Sequence, residues 1–342
     1  MASVDELIQQ LETGNTREQD EAAIELGKLG DSIAVPALIR SRVVDRLIQI
    51  VRKDDAPIDH VVAARAAEPL GKTRDPKAIP VLLERLRRGK PYETATAAAR
   101  ALRHFDDPQV IQALTEVATN KKIPKTVREA AVKSLGDIRN PQAVDALISI
   151  LEDSSIEIDV RAEVAHALGR TGDPRAIEPL IQRMKQEWKV DKRVLRQAIV
   201  NALSAFRDQR AIDALLWALS TDYYIARAAA ETLKKLRDRR AVEPLIRLVD
   251  PPDDKANYRE HEREFAAQIL GAIGDPRAIP ALVNALRDDY CERLPQYAAE
   301  SLQSFILTHP DAILQLTPDD RHHLGRFIQE TEHDELKLEI CE

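Results

Sequence analysis

Small and apolar residues recur along the chain at spacings of three and four, which is the periodicity of an amphipathic α-helix. Two successive runs are Val160, Val164, Ala165 and Leu168, then Ala176, Ile177, Leu180, Ile181 and Met184. Between the runs, Gly169 and Gly172 mark the end of one helix. Asp173 is a good N-cap for the next helix, and Pro174 suits its first turn. The pattern therefore predicts two helices joined by a tight turn, and no segment alternates with period two for long enough to predict a strand.

This two-helix unit is repeated. VAHALGRTGDPRAIEPLI begins at Val164, and AAQILGAIGDPRAIPALV begins at Ala266. The Asp or Asn of the turn defines eight anchors, at intervals of 44, 32, 33, 33, 35, 30 and 37 residues. The anchors are Asp31, Asp75, Asp107, Asn140, Asp173, Asp208, Asp238 and Asp275. A half-copy, AAESLQSF, begins at Ala298. A period of this size is typical of a helical-repeat solenoid.

The motif A-x-A-L-G-x-x-G-D-P-x-A-I-x-x-L resembles the HEAT-like repeats of the phycobilisome-lyase type, over about residues 20–305. The resemblance implies an all-α solenoid of about eight to nine two-helix repeats, with one helix layer convex and the other lining a concave face. We expect a single solenoid over residues 1–342. In it, 1–20 form an N-terminal cap helix, 21–289 the repeats, and 290–342 a half-repeat with an acidic cap.

Two irregularities interrupt the repeat. The first interval of 44 residues predicts a longer second helix in the first repeat, built from residues 41–60. Residues 250–262 contain two prolines and several acids, which predicts an exposed loop between the last two repeats. Such a loop serves recognition or is a neutral surface feature.

Two charged rows emerge when the copies are aligned on their anchors. Arginine stands two residues after the later anchors, and an acid stands five residues after the central ones. The rows are Arg175, Arg210, Arg240 and Arg277, and Asp145, Glu178, Asp213 and Glu243. Residues three apart on one helix can pair, as Arg175 could with Glu178. The rows therefore form a solvated ladder of ion pairs, or a charged strip that binds a partner on the concave face.

Trp217 stands in a row that is polar in every other copy, nine residues after the anchor, and it is four residues after Asp213 on the same helix. Tyr223 and Tyr224 follow in the next turn. Because Trp and Tyr are enriched at binding hot spots, we predict a site there, unless Trp217 packs against the adjacent repeat. The concave-face candidates are Asp145, Glu178, Asp213, Trp217, Tyr223, Tyr224, Glu243 and Arg247.

Basic residues cluster where the second helices end in corresponding repeats. Corresponding loops of a solenoid lie on one edge, so these residues predict a basic edge that binds an acidic protein or a carboxylate, or that only solvates the surface. The edge consists of Arg85, Arg87, Arg88, Lys90, Lys121, Lys122 and Lys125. A separate arginine row precedes the anchors at a constant spacing, near the start of each first helix, and we expect it to tie adjacent repeats together. That row is Arg128, Arg161, Arg196 and Arg263.

Composition removes several function classes. No run approaches the roughly 18 apolar residues of a membrane span, and the net charge of −7 argues against general nucleic-acid binding. Cys291 and Cys341 have no metal-ligand spacing, and we interpret them as reduced thiols of a cytoplasmic protein, with a disulfide between them as the alternative. The chain has no phosphate loop or nucleophile elbow. It also has a single His-Glu pair, His261–Glu262, where HEAT-like deoxyhypusine hydroxylases repeat that pair.

Two functions remain. The absence of catalytic motifs favours a non-enzymatic scaffold or assembly factor that binds another protein on the concave face, with no cofactor. The resemblance implies the alternative: a lyase or chaperone that delivers phycocyanobilin or another bilin to a phycobiliprotein cysteine. In that case Asp213 or Glu243 would contact the pyrrole nitrogens and Trp217 would contact the ring face.

Overall fold

The computed structural model describes residues 3–29, 37–53, 57–186, 193–251, 260–311 and 316–328. These residues form α-helices and short 3₁₀ turns, with no strand among them, as the periodicity predicts. The helices are α1 (Val4–Thr13), α2 (Thr16–Leu29), α3 (Ala37–Arg52), α4 (Pro57–Lys72), α5 (Ala78–Arg88), α6 (Tyr92–Leu102), α7 (Pro108–Thr119), α8 (Lys125–Asp137), α9 (Pro141–Glu152), α10 (Ile158–Thr171), α11 (Ile177–Gln186), α12 (Arg193–Leu203), α13 (Gln209–Leu219), α14 (Tyr223–Leu236), α15 (Val242–Val249), α16 (Glu260–Ile273), α17 (Ile279–Ala285), α18 (Leu294–Thr308) and α19 (Pro318–Ile328).

Contacts divide the chain into an N-terminal unit, Met1–Pro179, and a C-terminal unit, Leu180–Glu342. Within each unit, the first helices of successive repeats pack on one another. They do so from α2 to α4, α6, α8 and α10 in the N-terminal unit, and from α12 to α14, α16 and α18 in the C-terminal unit. The second helices form the other layer, as α3, α5, α7 and α9 do. The core between the layers consists mainly of Ala, Leu, Ile and Val, so each layer is thin.

The turn anchors cap the second helices, as predicted. The side chain of Asp173 accepts a hydrogen bond from the main-chain N of Arg175 at 2.9 Å, two residues ahead. Asp107, Asn140, Asp208, Asp238 and Asp275 accept the same bond in their own repeats. Because the first N–H groups of a helix have no partner within it, each anchor fixes where its second helix begins. Asp31 lies outside the described residues.

Glycines within the first helices set how closely neighbouring helices approach. A Cβ on Gly136 of α8 would lie 2.8 Å from Ala167 Cβ of α10 and 3.2 Å from its main-chain O. A Cβ on Gly71 would likewise lie too close to Ala101, and a Cβ on Gly271 too close to Ser301, each in the first helix of the next repeat. Gly169 and Gly172 mark the end of α10 as predicted, because the helix ends at Thr171 and the main-chain N of Gly172 donates to Gly169 O at 3.3 Å. Gly172, with φ 65°, is the residue that ends α10.

Buried arginines link successive repeats, as the constant position of this row before the anchors predicts. Arg128 Nη1 donates to Glu157 Oε2 at 2.7 Å, at the start of the next first helix. Arg263 Nη2 donates to Asp288 Oδ2 at 2.6 Å. Arg161 is equally buried, and its Nε donates to the main-chain O of Ile156, at the entry to its own helix. Each guanidinium therefore holds a loop in place from within the core.

The ends and insertions of the array differ in detail from the sequence expectations. The N-terminal cap helix ends at Thr13, and α2 begins at Thr16, inside the range expected for the cap. The long first interval extends both α3 and α4 to 16 residues. The insertion ends by Glu260, so His261 and Glu262 lie in α16 and not in a loop. Residues 252–259 and the acidic tail, 329–342, lie outside the described residues.

We expect Gly136→Val to lower the free energy of unfolding by about 1–3 kcal/mol, the usual cost of overpacking a well-packed core. The new side chain would meet backbone atoms of α10, which cannot move aside as a side chain can. Urea unfolding followed by circular dichroism measures this. Gly172→Asn is the matched control, because Asn tolerates positive φ and the site has no heavy atom within 4 Å of a new Cβ. Equal effects of the two changes would contradict the close-approach account.

Candidate protein-binding surface

Both charged rows lie on the surface of the second-helix layer. Asp145, Glu178, Asp213 and Glu243 are all exposed, as are the arginines of the companion row. The arginines pair mainly with the turn anchors and with the preceding repeat. Arg175 Nη2 lies 2.8 Å from Asp173 Oδ2 of its own turn, and its Nη1 lies 2.7 Å from Asp145 Oδ1 of the preceding repeat. This arrangement is a ladder that runs between repeats.

The same pairing of an arginine with the anchor of its own turn recurs in the C-terminal unit, and we call this pairing the Asp–Arg clasp. Arg277 Nε donates to Asp275 Oδ1 at 2.9 Å, and its Nη1 donates to Glu243 Oε1 of the preceding repeat at 3.1 Å. Arg210 holds Asp208 with two hydrogen bonds of 3.0 and 2.9 Å. Solvent screens exposed pairs of this kind, so each contributes little to stability. Asp145 and Glu243 therefore act first as structural partners of the next repeat.

The arginines also change the titration of the anchors. Hydrogen bonding by Arg210 lowers the pKa of Asp208 from its ordinary value of 3.8 to about 2. Arg175 and Arg240 lower the pKa values of Asp173 and Asp238 for the same reason. A carboxylate that accepts a charged hydrogen bond holds its proton less tightly. The turns are therefore strengthened by ionised anchors.

Trp217 is half-buried, whereas the other seven residues of its row are all exposed. Lys185 Nζ of α11 lies 5.8 Å from the centre of the Trp217 ring, over its face. Such a contact is a cation–π interaction. Trp217 thus packs partly against the preceding second helix, as the alternative interpretation expects, and keeps part of its surface in solvent.

Tyr223 and Tyr224 form an exposed aromatic patch on the other layer. Tyr223 is 49% exposed and Tyr224 57%, and their ring centres lie 5.9 Å apart in an edge-to-face arrangement. Tyr223 rests on Phe265 and His261 of α16, with ring centres 5.8 and 6.3 Å away. Arg193 Cζ of α12 lies 4.1 Å from the Tyr224 ring. The aromatic patch is defined by these five side chains and spans three first helices.

A buried arginine fixes the start of the helix that carries the patch. Asp222 is the N-cap of α14 and accepts from the main-chain N of Ile225 at 3.3 Å. Its other carboxylate oxygen accepts from Arg196 Nη1 at 2.7 Å, and Arg196 is 3% exposed. The two tyrosines follow Asp222 directly, so their backbone is anchored from the core.

The structure distributes the predicted site residues over both layers. Asp145, Glu178, Asp213, Trp217, Glu243 and Arg247 lie on second helices, whereas Tyr223 and Tyr224 lie at the start of a first helix. The sequence predicts that the tyrosines lie close to Trp217, but in the structure they belong to the first-helix layer and Trp217 belongs to the second-helix layer. The sequence analysis did not predict Phe265 and His261 as residues of the patch. A signal existed: His261, Tyr224 and the exposed Val61 each stand at the same register relative to the anchor that follows them.

The basic edge needs one correction. Arg85 is 2% exposed, and its guanidinium donates to the main-chain O of Arg52. It stands ten residues after its anchor, at the core-facing register of Ile150 and Ala218. Its assignment to an exposed edge is therefore wrong. The other six remain exposed: Arg87, Arg88, Lys90, Lys121, Lys122 and Lys125.

The groups considered for other chemistry do not form a metal site in the described part of the chain, where no three His, Cys, Asp or Glu side chains lie together. Cys291 is buried and forms no disulfide with another described residue, and burial raises the pKa of its thiol. Cys341 lies outside the described residues. His261 instead contacts the rings of the aromatic patch. Across the same described helices, none has the length and hydropathy of a membrane span.

Protein-family models match the repeats along most of the chain. A model of HEAT repeats matches residues 44–125, 122–194 and 190–261, which is more than half of the chain. This chain belongs to the HEAT repeat family. A second model, of the PBS lyase HEAT-like repeat, matches residues 262–288 of this HEAT repeat protein, from α16 to just beyond α17.

Known proteins give two kinds of similarity. The HEAT repeat protein is 42% identical over 84 residues to phycocyanobilin lyase subunit alpha of Picosynechococcus sp.. That alignment covers 22% of this chain and only 29% of the relative. Kap121p bound to Nup53p superposes with a TM-score of 0.53 at 13% identity, over 94% of this chain and 44% of that one. Kap95p, from a structure with RanGDP, gives 0.52 at 13%, over 96% and 49%. The superpositions show the fold alone.

The ion pair between Asp208 and Arg210 should make the stability of the protein depend on pH. Because the folded-state pKa of Asp208 lies below its ordinary value, its contribution to stability is complete above about pH 5 and is lost as the pH falls toward 2. Asp208→Asn keeps the N-cap but loses the ion pair. We expect the melting temperature of this variant to lie below that of the parent at pH 7, and the two to converge near pH 2. Asp289 is an exposed acid with no ion pair among the described residues. The melting temperature of Asp289→Asn should therefore stay equal to that of the parent from pH 7 to pH 2. A gap for Asp208→Asn that is constant from pH 7 to pH 2 would contradict the clasp.

Proposed function

We propose that this HEAT repeat protein is a non-enzymatic scaffold that binds another protein through the aromatic patch of its C-terminal unit. The observation that carries the proposal is the pair of exposed tyrosines, Tyr223 and Tyr224, held in a defined arrangement by Phe265, His261 and Arg193. The chain is only 4% aromatic, so the grouping of these rings at the surface stands out. Tyrosine offers a large contact area and a polar tip at a low entropic cost.

The geometry of the patch suits a protein partner. Its rings are fixed by edge-to-face contacts and by the guanidinium of Arg193, so little side-chain order has to be gained on binding. Arg and Tyr are enriched among residues that dominate binding energy. The second-helix rows suit this role less, because Asp145 and Glu243 already form ion pairs with Arg175 and Arg277 of the next repeat. They remain available as a polar surface around a bound partner.

Tyr224→Ala should weaken partner binding by about 30-fold or more, which corresponds to the 2 kcal/mol that defines a hot spot. Affinity capture from a lysate of the source organism, followed by titration of the captured protein, measures the change. Tyr290→Ala is the matched control, because Tyr290 is 70% exposed and lies outside the patch. Capture that is unaffected by Tyr224→Ala would overturn the proposal. Circular dichroism checks that both variants are folded.

The second candidate function is that of a bilin lyase subunit or bilin chaperone in the cytoplasm, acting on a phycobiliprotein. The observation that favours it is the 42% identity to phycocyanobilin lyase subunit alpha. Trp217 with Lys185 above it supplies an aromatic face and a cation for a propionate. Glu243 would have to leave Arg277 to contact a pyrrole nitrogen.

Phycocyanobilin mixed with the protein tests this candidate through its absorption spectrum. Binding to a protein would shift and sharpen the visible band, and Trp217→Ala should reduce that change while Tyr290→Ala should not. On the scaffold account we expect an unchanged spectrum at micromolar concentrations of both components. A spectral shift that depends on Trp217 would favour the lyase reading over the scaffold.

A further inference from the structure

A groove follows the outer face of α6 in the N-terminal unit, apart from the aromatic patch. It consists of three adjoining concavities of about 550, 530 and 440 Å³. The first two share Tyr92 and Glu93, and the last two share Thr96, Arg100 and Thr126. The groove therefore runs from the loop before α6 to the C-terminal ends of the neighbouring first helices.

The sequence of α6 explains why a groove forms. Thr96 and Ala97 are short side chains in the middle of the helix, which packs between α4 and α8. Val61 of α4 borders the groove and is 59% exposed, and Tyr92 of α6 is 43% exposed. An exposed Val and Tyr beside two alanines, Ala64 and Ala97, give the centre of the groove an apolar floor.

The charge of the groove is opposite to that of the chain. Six cations line it against three acids, although the chain as a whole carries −7. The cations are Arg65, Lys90, Arg100, Arg103, Lys133 and Arg170. Four of the six cations already have an acidic partner, in the pairs Arg65–Glu21, Arg103–Glu68, Lys133–Glu163 and Arg170–Asp137. Within the described part of the chain, Arg100 and Lys90 have no carboxylate within ion-pair distance.

We propose that this groove binds an extended acidic segment of a partner protein that carries one large apolar side chain. The apolar side chain lies on Val61, Tyr92 and Ala97, and carboxylates on either side of it pair with Arg100 and Lys90. The 11 residues of α6 span about 16 Å, which an extended segment of about five residues covers. The proposal adds a second contact site and a partner chemistry to the proposed function.

The acids in the groove favour a peptide over a nucleic acid. Glu93, Glu129 and Asp137 lie among the cations. A nucleic-acid strand carries a charge on every phosphate and would meet these acids wherever it lay. A peptide places each charge independently and can present an apolar side chain to the floor. We therefore commit to the peptide, and nucleic-acid binding becomes an outcome of the test.

The test is fluorescence anisotropy of the full chain with a labelled heptapeptide of Asp and Glu around a central Phe. We expect saturable binding that weakens as salt rises and is about tenfold weaker when Ala replaces the Phe. Arg100→Glu should weaken binding at least tenfold, and Val61→Ser about threefold to tenfold. Lys235→Glu makes the same charge change at an exposed site in the C-terminal unit and should leave the affinity unchanged.

Several outcomes would overturn the proposal. These are the absence of binding, equal binding of the Phe and Ala peptides, tighter binding of a single-stranded oligonucleotide, and equal weakening by Arg100→Glu and Lys235→Glu. The comparison of the two peptides needs no variant, so a folding defect in one variant does not remove the test. Tyr224→Ala should bind the peptide normally. Failure at the groove and failure at the aromatic patch are therefore distinguishable.

Discussion

The distance between neighbouring first helices is the constraint on which the rest of the structure depends. Gly71, Gly136 and Gly271 each stand where a Cβ would fall within 3 Å of the next first helix. Around them the facing positions are mostly alanine, so the helices approach closely and the core between the layers stays thin. Most of this core is filled by Ala, Leu, Ile and Val, and the buried rings among the described residues are Phe105, Phe206, Phe265 and Phe305. The low aromatic content of 4% suits this packing, and it leaves few large side chains for other uses.

The thin core also explains how charge is used. Each repeat buries too little apolar area to be stable alone, so its stability comes from its interfaces with its neighbours. Buried arginines such as Arg128 and Arg263 hold loops from within, and arginines of the Asp–Arg clasps on the second-helix surface join one turn to the preceding repeat. Because these charges serve the array, the residues left for recognition are those without such a partner. The exposed tyrosines of the patch and Arg100 in the groove are of this kind.

Local signals predicted the fold, because helix starts and ends depend on neighbours within a few residues. Asp173 capping its helix and Gly172 ending the previous one follow directly from such signals. The candidate site was less predictable. Tyr223 and Tyr224 stand out in the sequence, but their base, Phe265, comes from the next repeat. The burial of Arg85 could be inferred only from its register. The pairing of Arg175 with Asp145 depends on how one repeat is placed on the previous one, and helical periodicity carries no information about that.

The central claim is that a partner protein contacts the aromatic patch, and photocrosslinking tests it most directly. The photoreactive residue p-benzoylphenylalanine is placed at position 224, or at position 290 as the control, and the protein is irradiated in cells of the source organism. The account predicts one dominant crosslinked protein from position 224, identified by mass spectrometry, and no such product from position 290. No crosslinked protein from position 224, or the same products from both positions, would contradict it.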